Sequence, residues 1–210
     1  MYVTLAIAPA IWYNYPRNVL FALQNVRPVF VFDSKKDGEK MFEVNDTIMY
    51  GTQGICKIVE ITEKDFMGTK KEYYVLKPIS DEGATLFAPV NNEKIESKMR
   101  RILSEEEIYE LIETMPYEEG NWIHNENERK EQYKKIIAGG DRTELIRMIK
   151  ALYFHKKERE ADGKHLYLSD ERFFKEAERI LYDEFQYVLK IQKEELMTFI
   201  FTRIENGGNR

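Results

Sequence analysis

The spacing of apolar residues changes period near Arg101, and two kinds of structure are implied by that change. Before it, short β-branched and aromatic runs recur: Phe42 with Val44, Thr47-Ile48-Met49-Tyr50, Gly54-Ile55-Cys56-Lys57-Ile58-Val59-Glu60-Ile61, Tyr73-Tyr74-Val75-Leu76 and Thr85-Leu86-Phe87-Ala88-Pro89-Val90. Side chains alternate between the faces of a strand, so a period of two marks half-buried strands. Asn45-Asp46, Gly51, Met67-Gly68 and Ser80-Asp81-Glu82-Gly83 separate the runs, and these residue types favour turns. Five short strands make a small, strongly bent sheet or partial barrel, too small to be robust without support from the helices C-terminal to it.

After Arg101 the period becomes 3.6. Ser104-Glu105-Glu106-Glu107 has the form of a capping box, so a helix is expected from there to about Met115. A second should span 127–138 and stop at Gly139-Gly140, and Asp141 should cap a third with Leu145, Met148, Ile149 and Leu152 on its apolar face. Ser169 is expected to cap a fourth, along which Phe173, Ala177, Ile180, Leu181 and Val188 recur, and a fifth should run from Lys193 to Ile204. These stripes read as core. The fold class is therefore α+β in two domains: a bent β-sheet over 41–98, an all-helical domain of about five helices over 99–205, and a frayed tail at 206–210.

Residues 1–40 fit neither part. Met1 to Phe32 is aromatic and aliphatic with almost no charge, but Pro9, Pro16 and Pro28 interrupt it and its first cation is Arg17, which does not suit a signal peptide. Asn14, Arg17, Asn18, Gln24 and Asn25 break it as a membrane span. Asp37-Gly38-Glu39-Lys40 back-translates to a purine-rich stretch like a bacterial ribosome-binding site just before Met41, so Met41 is the expected start and the first forty residues are expected to have no packed fold.

The chain has 210 residues, 43% of them hydrophobic, and a net charge of −5, which argues against chain-wide attraction to nucleic acid and leaves only a local patch for such binding. The single Cys56 cannot form an internal disulfide and, lying in an alternating apolar pattern, reads as a buried strand position in a reducing cytoplasm. His124, His155 and His165 lack metal-site spacing, so neither a metal nor a cofactor is expected. The sequence offers no Gly-rich phosphate loop, no nucleophile with a base, and no paired carboxylates in an apolar setting, so it does not read as an enzyme.

Within Pro116-Tyr117-Glu118-Glu119-Gly120-Asn121-Trp122-Ile123-His124 a tryptophan sits among polar residues with few apolar neighbours. Two readings stay open. An exposed ring beside Arg and Lys supplies rigid contact area for recognition, or the ring folds back to plug a domain junction. Between Trp122 and Glu160 ten Lys or Arg face seven acids, a modest surplus that could meet phosphates. The same cations also read as a solvated helix face paired with Glu.

Several segments in order resemble the CarD/CdnL family of bacterial RNA polymerase-binding transcription regulators. They are Phe42-Glu43-Val44-Asn45-Asp46-Thr47-Ile48-Met49-Tyr50 with Gly54; Glu72-Tyr73-Tyr74-Val75-Leu76; Ala88-Pro89-Val90-Asn91-Asn92; Asn121-Trp122; Ala138-Gly139-Gly140-Asp141; and Leu168-Ser169-Asp170-Glu171-Arg172. The resemblance implies a Tudor-like or SH3-like β domain that binds the polymerase β subunit, and a helical domain that touches promoter DNA at the upstream edge of the transcription bubble. Trp122 falls on the family's minor-groove wedge and Arg129 on a basic position, with Lys130, Lys134 and Lys156 as further candidates for phosphate contacts. Lys64, Thr85, Leu86, Phe87 and Pro89 fall on the polymerase-contacting side, where Phe87 stands in place of a more usual cation. The implied protein is a cytoplasmic, nucleoid-associated monomer with no membrane contact. An adaptor that binds polymerase or another protein without touching DNA is the rival reading, and the acidic net charge favours it.

Overall fold

The computed structural model describes residues 42–207 apart from 67, 68 and 82; the expectations for residues 1–40, for Met41 as the start and for the Met67-Gly68 turn lie outside the described residues. The chain divides into two compact units, with the boundary between Ile102 and Leu103.

The first unit is a five-stranded antiparallel sheet. Strands β1 (Thr47–Tyr50), β2 (Ile55–Phe66), β3 (Thr69–Pro78), β4 (Leu86–Pro89) and β5 (Met99–Arg101) lie in the order β4-β3-β2-β1-β5, and a one-turn helix, α1 (Glu93–Glu96), precedes β5. Its core is Phe42, Ile48, Cys56, Ile58, Tyr74, Leu76, Ala88 and Met99. Ile58 and Ile61 both face that core although three residues apart, because a bulge between Ile58 and Glu60 inserts Val59 into β2. A bulge of this kind bends and twists the strand locally.

Two expectations change here. Phe42 and Val44 do not form a strand; Phe42 instead caps the core, its ring edge-on to Tyr74 at 6.5 Å between centroids. The fifth strand is Met99–Arg101, so the β unit continues past the expected boundary at residue 98. Met99 and Arg100 lie opposite Tyr50 and Met49 of β1.

The second unit holds helices α2 (Glu105–Thr114), α3 (Glu126–Gly139), α4 (Arg142–Ala161), α5 (Leu168–Leu189) and α6 (Lys193–Gly207), with a 3₁₀ turn at Met115–Tyr117. The expected capping box is present: Ser104 Oγ accepts from the Glu107 amide, and Glu107 Oε2 accepts from the Ser104 amide at 2.8 Å. Asn125 caps α3 by accepting from the amides of Asn127 and Glu128, and Asp141 caps α4. Between these helices Gly140 adopts φ 63°, a left-handed conformation that glycine takes without steric cost. Leu145, Leu152, Ile180, Phe185 and Ile200 are among the buried residues, and each side chain of this kind contributes about 1.5–3 kcal/mol through burial.

Ser169 is not a cap. The helix starts at Leu168, and the next acid along, Asp170, turns inward. At the far end α6 extends to Gly207, two residues into the segment expected to fray.

Candidate functional site

In the β unit, four of the residues expected to meet polymerase, Thr85, Leu86, Phe87 and Pro89, lie on or just before the terminal strand, and Lys64 reaches towards it from β2. β4 pairs with β3, with Val75 opposite Phe87 and Tyr73 opposite Pro89, and is the terminal strand of the sheet. Phe87 points away from the core with 38% of its surface exposed, and Lys64 Nζ lies 3.7 Å from its ring centroid. Thr85 is exposed just before β4, whereas Leu86 packs against the core and holds the strand in place. Pro89 has no amide to offer a neighbouring strand.

Register puts Lys64 and Phe87 on the same face of the sheet, although Phe87 lies in line with Val75 and Glu60 rather than with Lys64. The bulge at Val59 resets the alternation, so that Lys57, Glu60, Thr62 and Lys64 of β2 share a face with Lys77, Val75, Tyr73 and Lys71 of β3. Lys57 lies opposite Lys77 and Lys64 opposite Lys71, while the acids Glu63 and Glu72 oppose each other on the other face. Like charges placed directly opposite destabilise a sheet. Both lysine pairs and the Glu63–Glu72 pair are therefore unfavourable for the sheet itself, and the face of Phe87 carries four lysines and Glu60.

In the helical unit, Trp122 is half-buried and held from several sides. Its ring stacks on His155 of α4, with centroids 3.6 Å apart and planes 16° from parallel. The guanidinium of Arg129 lies 4.3 Å from the same ring. The loop before Trp122 lies directly on α4: a Cβ at Gly120 would come 2.5 Å from the Ala151 amide nitrogen and 2.8 Å from the Arg147 carbonyl oxygen. Lys150 Nζ donates to the carbonyls of Pro116 at 2.8 Å and Glu118 at 2.6 Å, and Arg147 Nε pairs with the Glu118 carboxylate at 2.7 Å. Burial pushes the Lys150 ammonium below its ordinary value, with Glu118 and Glu119 opposing the shift. Burial likewise lowers His155, against the pull of Glu158, which favours a neutral ring beneath the indole.

Residues 42–103 match the family model for the CarD-like/TRCF RID domain. The β unit is a CarD-like/TRCF RID domain. This is a family of RNA polymerase-interacting domains, protein-binding rather than catalytic, and the match is consistent with a CarD-like protein. A comparison of the chain with curated proteins gives no match. The Lys64–Phe87 edge lies inside the RID domain; Trp122 and the helical cations lie beyond the matched residues.

Outside the RID domain the basic residues are more committed than their number suggests. Arg129, expected at a phosphate, is 3% exposed: Nε and Nη2 donate to both carboxylate oxygens of Asp170 at 3.1 and 3.0 Å, and Nη1 donates to the Ile123 carbonyl at 2.8 Å. In this arrangement it ties the Trp122 loop to Asp170, as a buried guanidinium must satisfy its donors internally. Arg142 pairs with the buried Glu184, which also accepts from the Leu103 amide. Lys134 is exposed and Lys130 and Lys156 are half-buried, each beside a glutamate: Glu131 at 2.8 Å, Glu126 at 2.5 Å and Glu160 at 3.9 Å. Ion pairs near the surface contribute little to stability.

His155, Gly120, Lys150 and Asp170 complete the Trp122 site and were not singled out from sequence for it. Asp170 had a signal, since it lies in one of the family-like segments, and Gly120 stands two residues before the tryptophan; nothing local marks His155. Among the described residues no group of three or more His, Cys, Asp or Glu could hold a metal ion, and no helix is long and apolar enough to cross a membrane.

Proposed function

We propose that this protein is a bacterial transcription regulator that grips the RNA polymerase β subunit through its RID domain. The observation that carries this reading is the Lys64–Phe87 contact at the sheet edge of the matched domain. An edge strand offers main-chain groups for strand addition, Phe87 offers apolar contact, and the lysine-rich face selects an acidic partner. In the same proposal the helical unit presents Trp122 to promoter DNA at the upstream edge of the bubble. Its partly exposed indole wedges into the minor groove, while Lys130, Lys134 and Lys156 exchange their glutamates for phosphates. Unstacking a base step costs a few kcal/mol, so a wedge acts best where strands have already parted, and it delays their re-annealing. The protein is proposed to act as a cytoplasmic monomer associated with the nucleoid through polymerase.

A second reading, an adaptor that binds polymerase without touching DNA, is favoured by the internal commitment of Arg129, Arg142 and Lys150. One experiment separates the two. Polymerase is captured with the full chain, and open-complex lifetime is then measured with parent protein and with Trp122→Ala. Capture by both with a shorter lifetime for the variant supports the DNA contact; capture with equal lifetimes leaves the adaptor. Failure of the parent chain to capture polymerase overturns both.

A further inference from the structure

A tryptophan on a loop between helices has two free side-chain torsions and several staggered orientations. A wedge must present one plane, and ordering it only on binding would weaken the contact. We propose that His155 is the positioning residue that fixes the plane of the Trp122 ring before DNA arrives. The proposal rests on the reading of Trp122 as the DNA-contacting side chain and goes beyond it by assigning a role to a residue outside the RID domain and outside the family-like segments.

The geometry carries the argument. The imidazole lies parallel to the indole within 16° at a centroid separation of 3.6 Å, so it covers a ring face and defines its plane. His155 stands on a helix in which Ala151 to Tyr153 are buried, and the Gly120 loop packs against its backbone at Arg147, Lys150 and Ala151. The imidazole is therefore carried on a packed stretch of helix. Arg129 also touches the indole, 4.3 Å from its centroid, with its donors held by Asp170 and the Ile123 carbonyl; it is unchanged in the His155 variants, so a change on removing the imidazole reports the stack. His155 also has little competing work: its ion contact is Glu158 at 3.6 Å, a surface carboxylate beyond ordinary hydrogen-bond length.

The test uses the full chain with Trp12→Phe, leaving Trp122 as the reporting indole, and compares His155→Leu with His155→Phe. Leucine keeps bulk without a plane, whereas phenylalanine keeps the plane without charge or hydrogen bonds. Expected for His155→Leu are a red-shifted, more iodide-accessible Trp122 emission, a weaker near-ultraviolet circular dichroism band, unchanged polymerase capture, and an open-complex lifetime shorter by about three- to tenfold, the factor an aromatic stack supplies. His155→Phe should restore all of these. Adding His155→Leu to Trp122→Ala should shorten the lifetime no further. Unchanged Trp122 spectra, no rescue by phenylalanine, or a full lifetime loss in the Trp122→Ala background would each overturn the proposal. If Trp122→Ala itself leaves the lifetime intact, the DNA reading fails, and the spectra still decide whether His155 sets the ring.

Discussion

Arg129 and Asp170 form a two-pronged ion pair, Nε to Oδ1 at 3.1 Å and Nη2 to Oδ2 at 3.0 Å, with 3% and 0% of the side chains exposed. The pair joins α3 to the start of α5, and through the Ile123 carbonyl it also holds the Trp122 loop. Removing one partner strands the other charge in a water-poor site, at a cost of about 3–5 kcal/mol. Asp170→Ala should therefore lower the stability of the helical unit, measured by urea unfolding, by that amount, and the double variant with Arg129→Ala should lose less than the sum of the two single losses. Additive losses would mean that the two groups do not depend on each other.

Gly120 is fixed by a different force. A methyl group there meets helix backbone at 2.5 Å, and backbone cannot turn aside as a side chain can. Gly120→Ala should cost about 1–3 kcal/mol, as overpacking does, and should alter the Trp122 spectrum because the loop lifts from α4. Gly139 makes the contrast, since a Cβ there meets nothing within 4 Å. Gly139→Ala should be neutral or stabilising by up to about 1 kcal/mol. Equal effects of the two substitutions on thermal midpoint would refute the close packing.

Local features were legible in the sequence. The change of period separated sheet from helices, Ser104 with Glu107 and Asp141 capped the helices they were expected to cap, and Gly139-Gly140 ended one. What escaped was whatever depends on residues distant in the chain. A three-residue strand such as Met99–Arg101 is too short to show a period, and only its pairing with β1 creates it. Val59 looks like any other strand residue, and only the spacing of three between Ile58 and Ile61 hints at the bulge. Arg129 in a polar run reads as surface, because the carboxylate that buries it lies 41 residues ahead. The Lys64–Phe87 pair shows the reverse case: family resemblance named both residues, and the sheet puts them on one face.

Burial pushes the Cys56 thiol from an ordinary value of 9.0 up to about 11. A folded-state value above the unfolded one means that folding favours the protonated thiol. The resulting stability is fully present below about pH 9 and is lost as pH rises towards 11. The stability of the parent should thus fall more steeply over that range than that of Cys56→Ala, compared by urea midpoints at each pH. At pH 8 a thiol reagent should label the folded chain far more slowly than the unfolded one, and equal rates would place the sulfur at the surface.

Lys71 offers a substitution whose effects on stability and binding should run in opposite directions. It lies opposite Lys64, and neither is among the ion-paired residues described. Lys71→Glu turns a repulsive cross-strand pair into an attractive one, so the β unit should gain about 0.2–1 kcal/mol. The same change removes a cation from the face that meets an acidic partner, so polymerase capture should weaken and become less sensitive to salt. Lys70 is the control. It lies opposite Asp65 on the other face of the sheet, so Lys70→Glu should lose stability by a similar amount and leave capture unchanged. The decisive measurement is thermal midpoint and polymerase capture on both variants. If Lys71→Glu is both more stable and equally well captured, the lysine-rich face is not the polymerase contact; if capture falls only for Lys71→Glu, the lysine pairs are retained for binding at the expense of the sheet.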